Sequence, residues 1–291
     1  MSKTAKFGPG GNSDSFRAAG GRSTLQAPGF VKSLGLDCYE YEAGNGITGS
    51  DEMFKAIGAK AIEHGINMSF HTPYFISLSS VEKEKRDKSV DYIKRSAEVS
   101  DLLGAKTMVV HCGSAAKIDR RTAMGYAAET LSAAAEMLES NGYKVILGIE
   151  TMGKINQLGT LEEVIELCGI SKRFAPVVDF GHLNARTLGG IKTKDDYKRI
   201  FESVSSALGA EYAEDMHCHF SKIMYTDMGE KKHLTFDDSV YGPEFAPLAE
   251  ACLELGVGPT VICESAGTQT EDALFMKLTY ESLKKEGIKT L

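Results

Sequence analysis

Apolar residues recur along this chain in two spacings. Short runs rich in Val, Ile and aromatic residues alternate with longer stretches in which apolar positions return every three to four residues. The short runs predict strands at Ala5–Phe7, Cys38–Glu42, Asn67–His71, Thr107–His111, Val145–Glu150, Pro176–Asp179, Asp215–Phe220 and Thr260–Glu264. The longer stretches predict helices near 24–34, 51–65, 81–103, 120–141, 161–169, 194–208, 243–255 and 271–286. Strands separated by helices of this length form βαβ units with a parallel sheet, and eight such units close into a (β/α)8 TIM barrel, an α/β fold. Ser80 and Thr160 read as helix N-caps, Thr160-Leu-Glu-Glu163 being a capping box. Gly104, Gly142 and Gly256 follow helical stretches as stops. No Pro/Ser-rich linker or low-complexity tract divides the chain, so one domain over 1–291 is expected.

Composition narrows the class. Hydrophobic residues make up 42% and charged residues 25% of the 291 positions, an ordinary globular mix. The net charge of −7 excludes a uniform positive field for nucleic acid. Positive charge is instead local: residues 1–36 carry Lys3, Lys6, Arg17, Arg22 and Lys32 against Asp14 alone. Six scattered cysteines without a CxxC pair read as reduced, buried thiols in a cytoplasmic protein. Neither an apolar leader nor a run of membrane-spanning length is found, so no membrane partner is expected.

The strand runs share a second property. Five of them are read as ending in a metal ligand: His71, His111, Glu150, Asp179 and Glu264, with His182 three residues after Asp179. A sixth, Asp215–Phe220, contains His217 and His219, which a period of two places on one face. In a barrel of this kind the C-terminal strand ends converge on one mouth, where the active site lies. Imidazoles with carboxylates suit zinc, and also Mn2+ or Fe2+, and acids gathered without a cation would repel one another. The number of candidates exceeds one tetrahedral site, so a carboxylate bridging two or three ions is expected, an arrangement suited to displacement at phosphorus. The loop after the seventh strand adds Asp227, Glu230 and His233. Other chemistries lack their motifs. There is no Gly-x-Ser-x-Gly elbow, and Gly8-Pro-Gly-Gly11 is read as a turn, without the context of a phosphate loop. Cys112 neighbours His111 and so points to the opposite face.

Taken in order, these motifs resemble the endonuclease IV family, the metal-dependent apurinic/apyrimidinic endonucleases of the xylose-isomerase-like barrel superfamily. His71-Thr-Pro-Tyr74 resembles its His-x-Pro-Tyr, and Val110-His-Cys-Gly-Ser114 its Val-x-His-Pro-Gly-Ser. Gly148-Ile-Glu-Thr151, Val178-Asp-Phe-Gly-His182, His217 followed by Ser221-Lys222, and Cys263-Glu-Ser265 follow in family order, over about residues 60–270. The resemblance implies three zinc ions. The first would be held by His71, His111 and Glu150. The second would be held by Glu150, Asp179, His217 and Glu264, with His219 replacing or supplementing His217. The third would be held by His182 and His233 with one acid. The family has Asp-Arg-His where this chain reads Glu230-Lys-Lys-His233, so Glu230 or Asp227 stands in for that acid.

The implied reaction is hydrolysis of the phosphodiester 5′ to an abasic site in double-stranded DNA by a metal-activated water, with Glu150 as the catalytic bridging carboxylate. Tyr74 would help fill the gap in the duplex. Arg17, Arg22, Lys222, Lys231 and Lys232 are the candidate phosphate contacts. No protein partner is indicated, and a monomer is expected. The main rival is a metal-dependent sugar isomerase or epimerase of the same superfamily, which needs only Glu150, Asp179, His217 or His219, and Glu264; His71, His111 and His182 favour the nuclease. A further alternative is a metal-bearing barrel that binds DNA or phosphate without cleaving it.

Overall fold

Eight parallel strands surround the interior in the computed structural model, which describes residues 3–289. In chain order they are β1 (Lys6–Pro9), β2 (Cys38–Glu42), β3 (Asn67–His71), β4 (Thr107–His111), β5 (Ile146–Glu150), β6 (Phe174–Asp179), β7 (His217–Phe220) and, after a two-stranded hairpin β8 (Ile223–Thr226) and β9 (Gly229–His233), β10 (Thr260–Cys263). The sheet order is β1-β10-β7-β6-β5-β4-β3-β2. The seam between β1 and β2 is drawn together where Gly10 bridges Glu40 and Gly11 N–H donates to the Glu40 carbonyl at 3.0 Å. This is the expected TIM barrel.

The helices begin and end where local chemistry dictates. Thr160 accepts from Glu163 N–H while the Glu163 side chain reaches back, the capping box read from the sequence. Gly104 and Gly256 end their helices in the left-handed region, as a C-terminal stop requires. Ser80 is not a cap: that helix starts at Lys83, with Glu82 before it.

Three segments depart from expectation. The stretch Gly8-Pro-Gly-Gly11 is not a free turn, because its first half is strand β1. Gly8 is needed there because a Cβ would sit 1.7 Å from the Cys38 carbonyl oxygen of β2. Gly8→Ala is therefore expected to lower stability by at least about 1–3 kcal/mol, the usual cost of forcing atoms into a packed interior. A urea titration reads this, and an unshifted midpoint would contradict the close approach. A short helix, Phe180–Arg186, follows β6 directly, capped by Asp179, whose carboxylate accepts from His182 N–H at 2.8 Å. The polar loop expected after β7 is the antiparallel hairpin β8–β9, turned at Gly229 with φ +84°.

All six cysteines are buried and unpaired. No helix of the described residues is long and apolar enough to cross a membrane.

Candidate metal centre

Strand ends deliver the polar groups. His71 closes β3, His111 closes β4, Glu150 closes β5, Asp179 closes β6 and Glu264 follows β10. Glu150 and Asp179 are fully buried, His71 and His182 nearly so. They converge on Glu150. Its Oε2 lies 3.6 Å from His71 Nε2 and 3.2 Å from His111 Nε2. Its Oε1 lies 3.0 Å from His219 Nδ1 and 3.4 Å from His182 Nδ1.

The two histidines of β7 separate. His219 pairs in register with Asp179 and Ile262, whereas His217 pairs with Val177 and Thr260, two residues earlier along the barrel. His219 therefore joins Glu150, Asp179 and Glu264, with Glu264 Oε1 3.4 Å from its Nδ1. His217 sits deeper, donating toward Glu40 and lining a cavity of about 350 Å³ at the opposite end of the barrel. The resemblance had given that ligand position to His217, because Ser221-Lys222 follow it at the family spacing; the strand register places His219 there.

The third group is assembled by the hairpin. Gly153, after β5, leaves no room for a Cβ beside Glu230, which lets β9 dock on this loop. Glu230 N–H donates to the Gly153 carbonyl at 3.1 Å and Lys154 bridges Gly229. Arg186 braces the same loop by donating to the carbonyls of Met152, Lys154, Ile155 and Gln157. Glu230 Oε2 thus reaches 3.5 Å from His182 Nε2, and His182, Glu230 and His233 form one cluster. Asp227 is in the hairpin turn, outside that cluster.

The donor sets fit divalent cations. Within each of the groups His71–His111–Glu150, Glu150–Asp179–His219–Glu264 and His182–Glu230–His233, the donor atoms lie within 4.8 Å of one another. Glu150 Oε2 and Asp179 Oδ2 are buried with no hydrogen-bond partner, a costly state that a cation would relieve. Tautomers are fixed suitably. The Thr72 carbonyl accepts from His71 Nδ1 at 2.9 Å and the Thr151 carbonyl from His182 Nδ1 at 2.9 Å, so on each ring Nε2 is the nitrogen left to ligate once its proton leaves. Ser221 Oγ meets His233 Nδ1 at 2.8 Å.

Protonation follows burial and neighbours. Burial opposes ionisation of Glu150, yet His219, His111 and His182 hold its carboxyl well below the usual carboxylate range. Burial likewise opposes charge on His71, but Glu42 and Glu150 raise it to about 10. His219 and His182 are raised well above the ordinary imidazole value against the same opposition, chiefly by Glu264 and Asp179 respectively. Burial lowers His111 and His233. Burial pushes Glu264 up to about 8 and Glu42 up to about 7.

Two acids escaped the sequence reading. Glu40 and Glu42 on β2 face the centre, Glu40 fully buried with Oε1 2.8 Å from His219 Nε2. The signal was present: Cys38-Tyr-Glu-Tyr-Glu42 alternates with the period of a strand and places both carboxylates on one face. Cys112 points away, its thiol on the Glu150 carbonyl and pushed up by burial, as its place beside His111 implies.

The nucleic-acid candidates are spread. Tyr74 is about half exposed, stacked at 25° on His111 with ring centroids 5.4 Å apart. Lys222 is buried and spent on Glu244 at 2.8 Å and the Asp238 carbonyl at 2.7 Å. Arg17, Arg22, Lys231 and Lys232 are exposed. A cavity of about 420 Å³ over the centre is lined by His71, Tyr74, His111, Glu150, Lys154, His182, Glu230, His233 and Glu264, among others.

The uncharacterized protein MJ0133 of Methanocaldococcus jannaschii is 30% identical over 253 residues, 87% of this chain and 90% of that protein. A probable endonuclease 4 of Staphylococcus carnosus is 29% identical over 167 residues, 55% of this chain and 54% of that relative, so the match spans about half its length. Among solved structures, a D-tagatose 3-epimerase-like protein matches with a TM-score of 0.71 at 19% identity, over 97% of this chain and 99% of that one. Endonuclease IV from Thermus thermophilus matches with 0.66 at 16% identity, over 97% and 99%. At these identities the two structures speak for the fold alone. A family model described as a xylose isomerase-like TIM barrel matches residues 29–285. The chain belongs to the xylose isomerase-like TIM barrel family.

Proposed function

We propose that this protein is a metal-dependent phosphodiesterase that incises double-stranded DNA 5′ to abasic sites. The observation that carries the reading is a run of adjoining donor groups rich in imidazole, two of them sharing Glu150: His71 and His111 on one side, Asp179, His219 and Glu264 on the other, with His182, Glu230 and His233 beyond. Zinc or a similar divalent cation bound in such groups activates water and neutralises charge on a phosphate. The chain's own residues supply the rest. Glu150 offers one oxygen to each of two groups. Arg186 and the hairpin hold the loop that carries Lys154 over the cavity. Tyr74, about half exposed beside His71 and His111, would pack where a base is missing. The similarity to probable endonuclease 4 from Staphylococcus carnosus supports the reading over about half of that relative. Phosphate contacts fall to Lys154, Lys231, Lys232, Arg17 and Arg22, since Lys222 is already paired.

A second reading, a metal-dependent sugar epimerase, is favoured by the acidic side of the mouth, where Glu40, Glu42 and Glu264 cluster beside a four-donor group. It leaves His71, His111, His182 and His233 without a task. One assay separates the two: a duplex with a single abasic site and, in parallel, a panel of ketoses, each with and without chelator. Chelator-sensitive incision supports the nuclease, and sugar turnover without incision overturns it.

His219→Ala is expected to lose bound metal and cut incision by at least about tenfold, whereas His217→Ala loses less of both. Elemental analysis of the two variants reads the difference, and the reverse order would return the ligand role to His217.

A further inference from the structure

Behind the metal centre lies a buried chain of alternating imidazole and carboxylate. Glu150 Oε1 meets His219 Nδ1 at 3.0 Å, His219 Nε2 meets Glu40 Oε1 at 2.8 Å, and Glu40 Oε2 accepts from His217 Nε2 at 2.8 Å. Glu40 and His219 are fully buried and His217 is 9% exposed. Nothing in the family motifs requires an acid at Glu40. Its side chain does not serve the barrel seam, where the Glu40 backbone makes the contacts. A carboxylate stripped of water is costly unless it is paired, and here both oxygens face imidazole.

Glu40, His217 and His219 lie close enough to suggest a cation of their own. The spacing argues otherwise. Ligands about 2.0–2.2 Å from one ion stand roughly 3 Å or more apart. Both contacts of Glu40 are at 2.8 Å, the separation of charge-assisted hydrogen bonds. The His219 contact is close but angled, which leaves Glu40 Oε1 and His219 Nε2 without an aligned partner while the Nδ1 side leans on Glu150.

We propose that Glu40 is a positioning residue for the metal centre, working through His219. His219 Nδ1 donates to Glu150 at 3.0 Å in the ion-free protein; once an ion takes that nitrogen, the Nε2–H of His219 has the Glu40 carboxylate 2.8 Å away to turn to, and that pairing would hold the ring on the ion. His217 anchors the second oxygen of Glu40 and so sets the direction of the first. Carboxylate partners of this kind hold a ligating imidazole in place, and losing one costs about 10–100-fold in metal affinity. The inference rests on the metal centre proposed above and adds the residue that orients one of its ligands.

The test uses the full chain, stripped and reloaded with zinc or cobalt. Metal affinity is measured by chelator competition, the visible spectrum of the cobalt form reports ligand geometry, and melting of the stripped protein reports folding. Glu40→Gln is expected to bind one ion about 10–100-fold more weakly, with a shifted cobalt band and a fall in kcat at little change in KM. His217→Gln keeps the Glu40 charge, loosens its aim and moves the same readouts less. Should Glu40→Gln fail to fold, the His217→Gln spectrum decides. Wild-type protein that binds metal, alongside variants with unchanged affinity and cobalt spectrum, overturns the role of Glu40 alone. Wild-type protein that takes up no metal overturns the proposed centre, and this role with it.

Discussion

Replacing Glu150 with Gln is expected to reduce incision of an abasic duplex by at least about a hundredfold, beyond the usual effect of losing a group that merely supports a ligand. The reason is geometric. Glu150 Oε2 faces His71 and His111, while Oε1 faces His219 and His182. Gln keeps the shape but offers one oxygen and no charge, so two adjoining groups lose their shared anion at once. The same change removes the negative partner that helps hold protons on His71, His182 and His219 in the ion-free protein. Incision rate and elemental content are read together, and near-wild-type turnover would contradict a bridging role.

Chelation is expected to destabilise the protein and to make its stability pH-dependent. An ion present at 100 times its dissociation constant adds about 2.7 kcal/mol to the folded state. At about 2–4 °C per kcal/mol for chains of this size, stripping lowers Tm by roughly 5–10 °C. The pH dependence follows from the groups named above. His71, His182 and His219 hold protons more tightly folded than unfolded, as do Glu264 and Glu42. Each such group stabilises the ion-free fold fully below its unfolded pKa, about 4.3 for Glu and 6.5 for His, and loses that contribution as pH climbs through its folded value. For Glu264 that value is about 8 and for His71 about 10. The contribution of these groups to the stripped protein is therefore lost between about pH 5 and 10, while His111 and His233, lowered by burial, contribute with the opposite sign as pH rises toward 6.5. In the loaded protein the protons on His71, His182, His219 and Glu264 would already have left, so affinity for metal rises with pH and uptake at pH 7 releases protons. Calorimetric titration in buffers of different ionisation enthalpy reads the release. Uptake without it would mean that these histidines are not ligands.

Much of this is legible in the sequence alone. The barrel followed from period: short β-branched runs between helical stretches admit few other folds. The convergence of His71, His111, Glu150, Asp179 and Glu264 followed from their common place at strand ends. Three things were not legible. Strand register, which separates His219 from His217 by one inward-facing step, depends on pairing with β6 and β10, and local spacing does not report it. The hairpin carrying Glu230 is a Lys-rich segment of low apolar content, and its strand character comes from docking on the loop at Gly153 and Lys154. Glu40 was passed over because its strand ends in Glu42 and its partners lie across the barrel, 177 residues away in the case of His217.

The proposed chemistry depends on Glu150 being shared between adjoining cation groups. Diffraction from zinc-loaded crystals, with anomalous differences collected at the zinc edge, tests it most directly. One peak is expected within bonding distance of His71, His111 and Glu150, and a second bonded to Glu150, Asp179, His219 and Glu264. A single peak bonded to Asp179, His219 and Glu264, with His71 and His111 bound to nothing, would contradict it.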